Sequence, residues 1–143
     1  MKNIKEKSFG IIPIFKDSRN NLYFCLVQHA QGHWGFPKGH GDNGESGLDT
    51  ARRELMEETG IKDISILKDG SFNENYIFEK DKIVHDKTVE YFVGFVSNME
   101  TNIQENFKEE ISEIKWLSYD EAKNLITFPE ARKILDEVVK FLI

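Results

Sequence analysis

The sequence predicts an α/β protein in which a curved, mixed β-sheet lies between helices. Three observations carry that expectation. Short β-rich runs follow one another across turn residues, as in antiparallel hairpins. Amphipathic helices interrupt them after the second run and again at the C-terminal end. The length of 143 residues suits one domain, 1-143, with a substantial core.

Residues 8–16 open the series as a strand, and Asp17, Ser18, Asn20 and Asn21 supply the turn after it. Residues 22–28 form the second strand, paired with the first as a hairpin. Their run is almost wholly apolar, so burial on both faces is expected. Residues 29–34 read as a loop that leads through Trp34-Gly-Phe-Pro-Lys-Gly-His40 toward a helix. Ser46 can cap that helix, Asp49 falls in its amide-rich first turn, and Gly60 sits where a left-handed residue would end it. Leu48, Ala51 and Leu55 make its apolar stripe. Further on, residues 64–68 and 72–79 are expected as two short strands with a turn at Asp69-Gly70. Residues 79–87 read as a charged hairpin loop, and residues 88–97 as a strand rich in Val, Phe and Tyr. Residues 98–108 are polar and loop-like, and 111–117 form the last strand. Ser118 caps a short helix over 120–125. Pro129 opens a final helix to about Leu142, with Ile134, Leu135, Val138 and Phe141 or Leu142 turned inward.

Bulk properties narrow the function. A formal net charge of −6 argues against a protein that grips extended nucleic acid by surface charge. It leaves room for a phosphorylated small molecule, met locally by a metal ion and a few lysines. The single cysteine, Cys25, excludes an internal disulfide framework and fits a reducing compartment. Set in an apolar run, it reads as buried filler. No stretch approaches the ~20 apolar residues of a membrane span. Lysines ahead of residues 9–15 resemble the start of a secretory signal, yet that apolar run is short, contains Pro13 and lacks a small-residue cleavage site. A cytoplasmic protein without membrane association is expected. The sequence leaves its oligomeric state open.

The chemistry concentrates between Gly39 and Ile61. Glu54, Glu57 and Glu58 are spaced i, i+3, i+4 and share an arc of roughly 100° on one helix. Each like-charged pair at such spacing costs a few tenths of a kcal/mol. A hard divalent cation, Mg²⁺ or Mn²⁺, would turn that repulsion into attraction. A solvated acidic face explains three glutamates alone equally well, so their surroundings decide. Lys38, held behind Pro37 and beside Gly39 and Gly41, is placed to neutralise phosphate oxygens ahead of a helix start. Lys87, at the mouth of the strand over 88–97, offers a second such contact. His33 and His40 are loop histidines that either reach phosphate or stay solvated, and Trp34 is expected to pack.

Gly39, Glu45, Arg53, Glu54, Leu55, Glu57, Glu58, Gly60 and Ile61 fill G-x5-E-x7-R-E-U-x-E-E-x-G-U, where U is aliphatic. This is the Nudix box, complete at all nine specified positions, and the chain resembles the Nudix hydrolases. The flanking W-G-F-P-K-G-H, Asn75-Tyr76, Lys87-Thr88-Val89, Glu110 with Trp116-Leu117, and Glu121-Ala122 with Leu125 and Phe128 resemble the asymmetrical diadenosine tetraphosphate hydrolases among them. The loop Gly41-Asp-Asn-Gly44 departs from the more hydrophobic, often Pro-containing loop of that group. The departure bears on substrate choice and leaves the acids untouched.

The resemblance implies a Nudix-type α/β/α sandwich and hydrolysis of a phosphoanhydride in a nucleoside diphosphate-linked compound. For the resembled group, water splits diadenosine tetraphosphate into ATP and AMP. It implies a metal site of Gly39, Glu54, Glu57, Glu58 and Glu110, holding Mg²⁺ or Mn²⁺, with Glu45 supporting the loop and Arg53 orienting the carboxylates. Lys38, His40 and Lys87 would bind polyphosphate, while Tyr76 and Phe128 would stack on adenine. A base must take a proton from water, and no serine or cysteine nucleophile is needed. Which glutamate is that base stays open between Glu110 and a box member, as does the number of metal ions. Two rivals remain. One is a Nudix enzyme that trims triphosphate from RNA 5′ ends or removes damaged nucleoside triphosphates. The other is a non-catalytic nucleotide sensor, which would be free to lose the box glutamates that this chain keeps.

Overall fold

Strand β1 (Lys2–Lys16) is the spine of the sheet because its side chains alternate between two apolar layers. Ile12 and Ile14 face one layer, and Phe9, Ile11 and Phe15 the other. The computed structural model describes residues 2–143. After β1 come β2 (Leu22–His29), β3 (Trp34–Gly35), β4 (Lys38–His40), α1 (Gly47–Thr59), β5 (Ser65–Lys80), β6 (Ile83–Val96), β7 (Ile111–Leu117), α2 (Tyr119–Leu125) and α3 (Pro129–Leu142). The spatial order is β3-β2-β1-β6-β5, with β4 added to β1 and β7 to β2.

β1 and β6 run parallel from Lys2↔Ile83 to Phe15↔Val96, and every other pairing is antiparallel. Along its opposite edge β1 serves two partners, β2 at Ile14–Lys16 and β4 at Ser8–Gly10. That change of partner opens the sheet beside α1 and creates the cleft. α1 covers one face through Ala51 and Leu55, which pack with Ile11, Ile61 and Val96. α2 and α3 cover the other through Ala122, Ala131, Ile134, Leu135 and Val138, against Ile12, Ile14, Phe24 and Leu26. The expected mixed sheet between helices is present, and Phe24, Cys25, Leu26 and Val27 are fully buried, as an apolar run covered on both faces requires. Burial pushes the Cys25 thiol far above its ordinary range, which makes it inert filler.

Local sequence fixes the helix ends. The Ser46 side chain accepts from the Asp49 N–H at 3.1 Å, and Gly60 closes α1 at φ 77°. Ser118 forms a capping box with Glu121, and Pro129 occupies the first turn of α3. Phe141 is 42% exposed, turned away from the centre of the core, and meets Phe72 edge-on.

The structure corrects four boundaries. β1 starts at Lys2 rather than residue 8, because β6 gives its polar N-terminal half a continuous parallel partner. The loop expected at 29–34 ends in a strand, and Trp34–Gly35 and Lys38–His40 pair with β2 and β1. Asp69-Gly70 is no chain reversal: Asp69 is left-handed at φ 63°, but the register merely slips between Ile66 and Ser71, so two expected strands join as β5. The reversal comes at Asp81 and Lys82, both left-handed, which replaces the nine-residue loop of 79–87 with a two-residue turn.

Candidate active site

Arg53 is the centre of the acidic site. Its Nε donates to Glu45 at 2.8 Å, Nη1 to Glu54 at 3.1 Å and Glu57 at 2.8 Å, and Nη2 to the His40 carbonyl at 2.9 Å. One planar guanidinium therefore ties the loop after β4 to three carboxylates, which a lysine ammonium cannot do in that geometry. Glu45 also accepts from the Asp42 N–H and the Thr50 hydroxyl, so the loop is pinned at both ends. The Arg53 bonds, with those neighbours, hold the Glu45 carboxyl down to about 2.

Glu54 and Glu58 face each other one helical turn apart. Burial is the chief cause that raises both carboxyls, and the neighbouring Glu54 raises Glu58 further. Glu58 is 4% exposed and its Oε1 has no hydrogen-bond partner among the described residues. Two half-buried to buried acids one turn apart, one with an orphaned oxygen, are a donor set suited to a hard cation. Among the described residues no three such groups already converge on one point. Arg53 holds Glu54 and Glu57 sideways, so a cation here would keep water ligands, as Mg²⁺ ordinarily does.

A β-carbon at Gly39 would collide with the Glu54 carboxylate. His29, Lys38, Gly39, His40, Asp42, Arg53, Glu54, Glu58, Glu110 and Ile111 line a cleft of about 310 Å³. Glu110 reaches it from the turn before β7, outside the box, and is exposed at its mouth. Glu57 is turned to Arg53 instead. The Lys38 ammonium is lowered by burial and pulled back by the nearby carboxylates of Glu74, Glu58 and Glu54.

Glu6 of β1 lies near both His40, in the cleft lining, and Lys87 of β6. Tyr76 pairs with Lys87, and Lys87 with Glu6, so all three lie side by side on one face. Glu6 gathers three nitrogen groups: His85 Nδ1 at 3.1 Å, Lys87 Nζ at 3.6 Å and His40 Nε2 at 3.9 Å. Tyr76, Phe78 and His85 form a ladder of near-parallel rings. Across the opening, Phe128 caps α3 at 51% exposure and touches His33, which stacks on His29 at 4.4 Å. Burial lowers His29 to about 4. Trp34 packs in the core, 8% exposed.

The structure thus brings Glu54, Glu58, Glu110, Lys38, Gly39, Arg53 and His40 to one cleft and sets Tyr76 and Lys87 beside each other on the adjoining sheet. Glu6, His29, Glu74, Phe78 and His85 were missed. Glu74 lies two residues before Tyr76 on a strand, a period-2 signal that would have found it. Glu6 and His85 could not be found that way, because only the parallel β1–β6 pairing brings them to the site.

The chain matches the NUDIX domain family over residues 5–138. With that match, the sandwich and the complete acid box, it belongs to the Nudix family and is a Nudix pyrophosphohydrolase. Among characterised relatives it is 36% identical over 131 residues to the asymmetrical bis(5'-nucleosyl)-tetraphosphatase of Rattus norvegicus, covering 89% of this chain and 85% of that one. It is 32% identical over 105 residues to the RNA pyrophosphohydrolase of Bartonella bacilliformis, covering 65% of this chain and 62% of that protein. Its fold is similar to a C. elegans Ap4A hydrolase in a binary complex, with a TM-score of 0.80 and 26% identity over 96% of this chain and 97% of that one. No described helix is long and apolar enough to cross a membrane.

Proposed function

We propose that this enzyme hydrolyses dinucleoside polyphosphates, diadenosine tetraphosphate foremost, to ATP and AMP. The observation that carries the reading is an acid cleft lined by Glu54, Glu58 and Lys38 next to a sheet face on which Lys87 stands beside Tyr76, the two joined through the contacts of Glu6 with His40 and Lys87. An acid site, a cationic path and an aromatic platform in that order suit a long phosphate chain ending in a base. The resemblance to tetraphosphatases over most of the chain points the same way.

In this reading Glu54 and Glu58, with Glu57 and Glu110, hold Mg²⁺ or Mn²⁺, whose chemistry is to neutralise phosphate charge and acidify water. Arg53 fixes the carboxylates for that purpose. Lys38, His40 and Lys87 orient the polyphosphate. Lys87 exchanges its Glu6 partner for phosphate on binding. Tyr76 and Phe128 hold adenine. Two groups are placed to accept the proton of the attacking water, Glu110 at the cleft mouth and Glu58 within it. Glu110→Gln and Glu58→Gln, compared for loss of kcat against loss of Mg²⁺ affinity, separate base from ligand. The buried, unpaired Cys25 supports a cytoplasmic setting.

The test is product analysis with Mg²⁺ on diadenosine tetraphosphate, triphosphorylated and capped RNA, oxidised dGTP, ADP-ribose and diphosphoinositol phosphates. ATP and AMP in equal yield, at the highest kcat/KM of the set, is the expected outcome. Faster turnover of RNA would favour the activity named in the Bartonella bacilliformis relative instead.

A further inference from the structure

Glu6 of β1 is ringed by nitrogen groups from two other strands. His85 Nδ1 of β6 donates to its Oε1 at 3.1 Å, while Lys87 Nζ and His40 Nε2 stand 3.6 and 3.9 Å from Oε2. Only the first is a hydrogen bond. Charge-assisted N–H···O contacts close to about 2.7–2.9 Å where geometry allows. The ring is therefore wider than the carboxylate inside it, and two of its three members stop short of a bond with that carboxylate. The His85 hydrogen bond is the chief reason that the Glu6 carboxyl lies below its ordinary range, so the resident is an anion.

The nitrogen groups are held in place without Glu6. His85 lies flat on Phe78, with ring centroids 4.8 Å apart and planes 6° from parallel. Ser8 Oγ anchors the His40 ring at Nδ1, 3.4 Å away, which leaves Nε2 turned to Glu6. Lys87 rests over the Phe78 ring. Glu6 itself has room to leave. β4 pairs with β1 only at Ser8–Gly10, so among the described residues no strand flanks Glu6 on that edge. Solvent reaches the site, since the side chains of Glu6, Lys87 and His40 are 25%, 30% and 62% exposed. His40 belongs both to this ring and to the lining of the acid cleft. A phosphate group is larger than a carboxylate and spreads its oxygens tetrahedrally, so it can meet donors on three sides at once.

We propose that His85 joins Lys87 and His40 in an anion cage that Glu6 fills in the free protein, and that a phosphate of a bound polyphosphate chain displaces it. Glu6 is a built-in competitor that holds down the affinity for phosphate chains. It touches no reacting atom and acts only through the cage. This deepens the polyphosphate reading above and rests on it.

The test is calorimetric titration of the full chain with Mg²⁺, using inorganic tripolyphosphate and a methylene-bridged analogue of diadenosine tetraphosphate that resists hydrolysis. Glu6→Gln keeps the size and removes the charge. It should bind both probes about two- to fivefold tighter than wild type, the range of a partly exposed ion pair. His85→Ala should bind both more weakly by a similar factor. Glu6→Asp keeps the charge and should show little of the gain. Glu90→Gln removes the same charge from the opposite face of the sheet, beside Lys7, and should match wild type. The sign of the Glu6→Gln change decides on its own should His85→Ala fail to fold. Weaker binding by Glu6→Gln overturns the proposal, because the carboxylate would then be orienting Lys87 for the ligand. Equal tightening in Glu90→Gln overturns it too, since net charge alone would account for the gain. Wild-type affinity in Glu6→Gln sinks this inference alone, and in His85→Ala it strikes His85 from the cage. Failure of wild type to bind either probe sinks the polyphosphate reading and this inference with it.

Discussion

Gly39 lies directly against the Glu54 carboxylate, on space that any β-carbon would need. The box glycine is thus the floor of the acid site. Gly39→Ala should force Glu54 away from Glu58 while leaving the core intact. We expect a loss of kcat of at least 10²-fold and weaker Mg²⁺ binding, with a melting temperature within a few degrees of wild type, read by calorimetry and circular dichroism. Wild-type turnover in this variant would show that the Glu54 position is immaterial.

Arg53 bridges Glu45, Glu54, Glu57 and the His40 carbonyl through three nitrogens. Lysine keeps the charge but not the fork. Arg53→Lys should lower activity or Mg²⁺ affinity by ~10–100-fold, as the loss of an orienting partner does. Glu57→Gln should lower turnover by several orders of magnitude with the fold retained. Single-turnover rates across a Mg²⁺ titration distinguish the two, since only the positioning defect should be partly repaired by excess metal.

Glu58 gives a pH signature. Its folded carboxyl titrates well above the ordinary 4.5, chiefly through burial. The stability it contributes to metal-free protein is therefore full below about pH 4.5 and is lost as pH rises toward the folded value. Glu58→Gln removes that penalty, so metal-free Glu58→Gln should melt higher than wild type at pH 8, with the gap closing toward pH 4.5. With Mg²⁺ the order should reverse, because a bound cation stabilises the ionised Glu58 that the variant lacks. Titrations in buffers of different ionisation enthalpy should detect proton release on metal binding. A gap that does not change with pH would refute the raised Glu58 carboxyl.

Tyr76 stands beside Lys87 across the β5–β6 pairing. Tyr76→Ala should raise KM for diadenosine tetraphosphate by roughly 5- to 100-fold, the ~1–3 kcal/mol of a base stacked on an aromatic ring. kcat should change little, because the acids are untouched. A change confined to kcat would place the base elsewhere.

The sequence by itself determined the parts whose physics is local. Ser46 and Gly60 set the ends of α1, the i, i+3, i+4 spacing set its acids on one side, and the apolar run of β2 announced a strand covered on both faces. The box of nine positions carried the family. Local patterns could not say that residues 2–8 and 83–89 pair in parallel, since polar alternation carries no partner. Nor could they tell a slipped register at Asp69 from a chain reversal, because a left-handed residue serves both. Tertiary packing decided those points, and with them the rest of the site. It brought Glu6 to Lys87, His85 and His40, laid Lys38 against Tyr91 over Gly10, and left Glu74 buried with one oxygen free. Such juxtapositions arise from strands far apart in the chain, where the energy of burial, not the sequence of neighbours, chooses who meets whom.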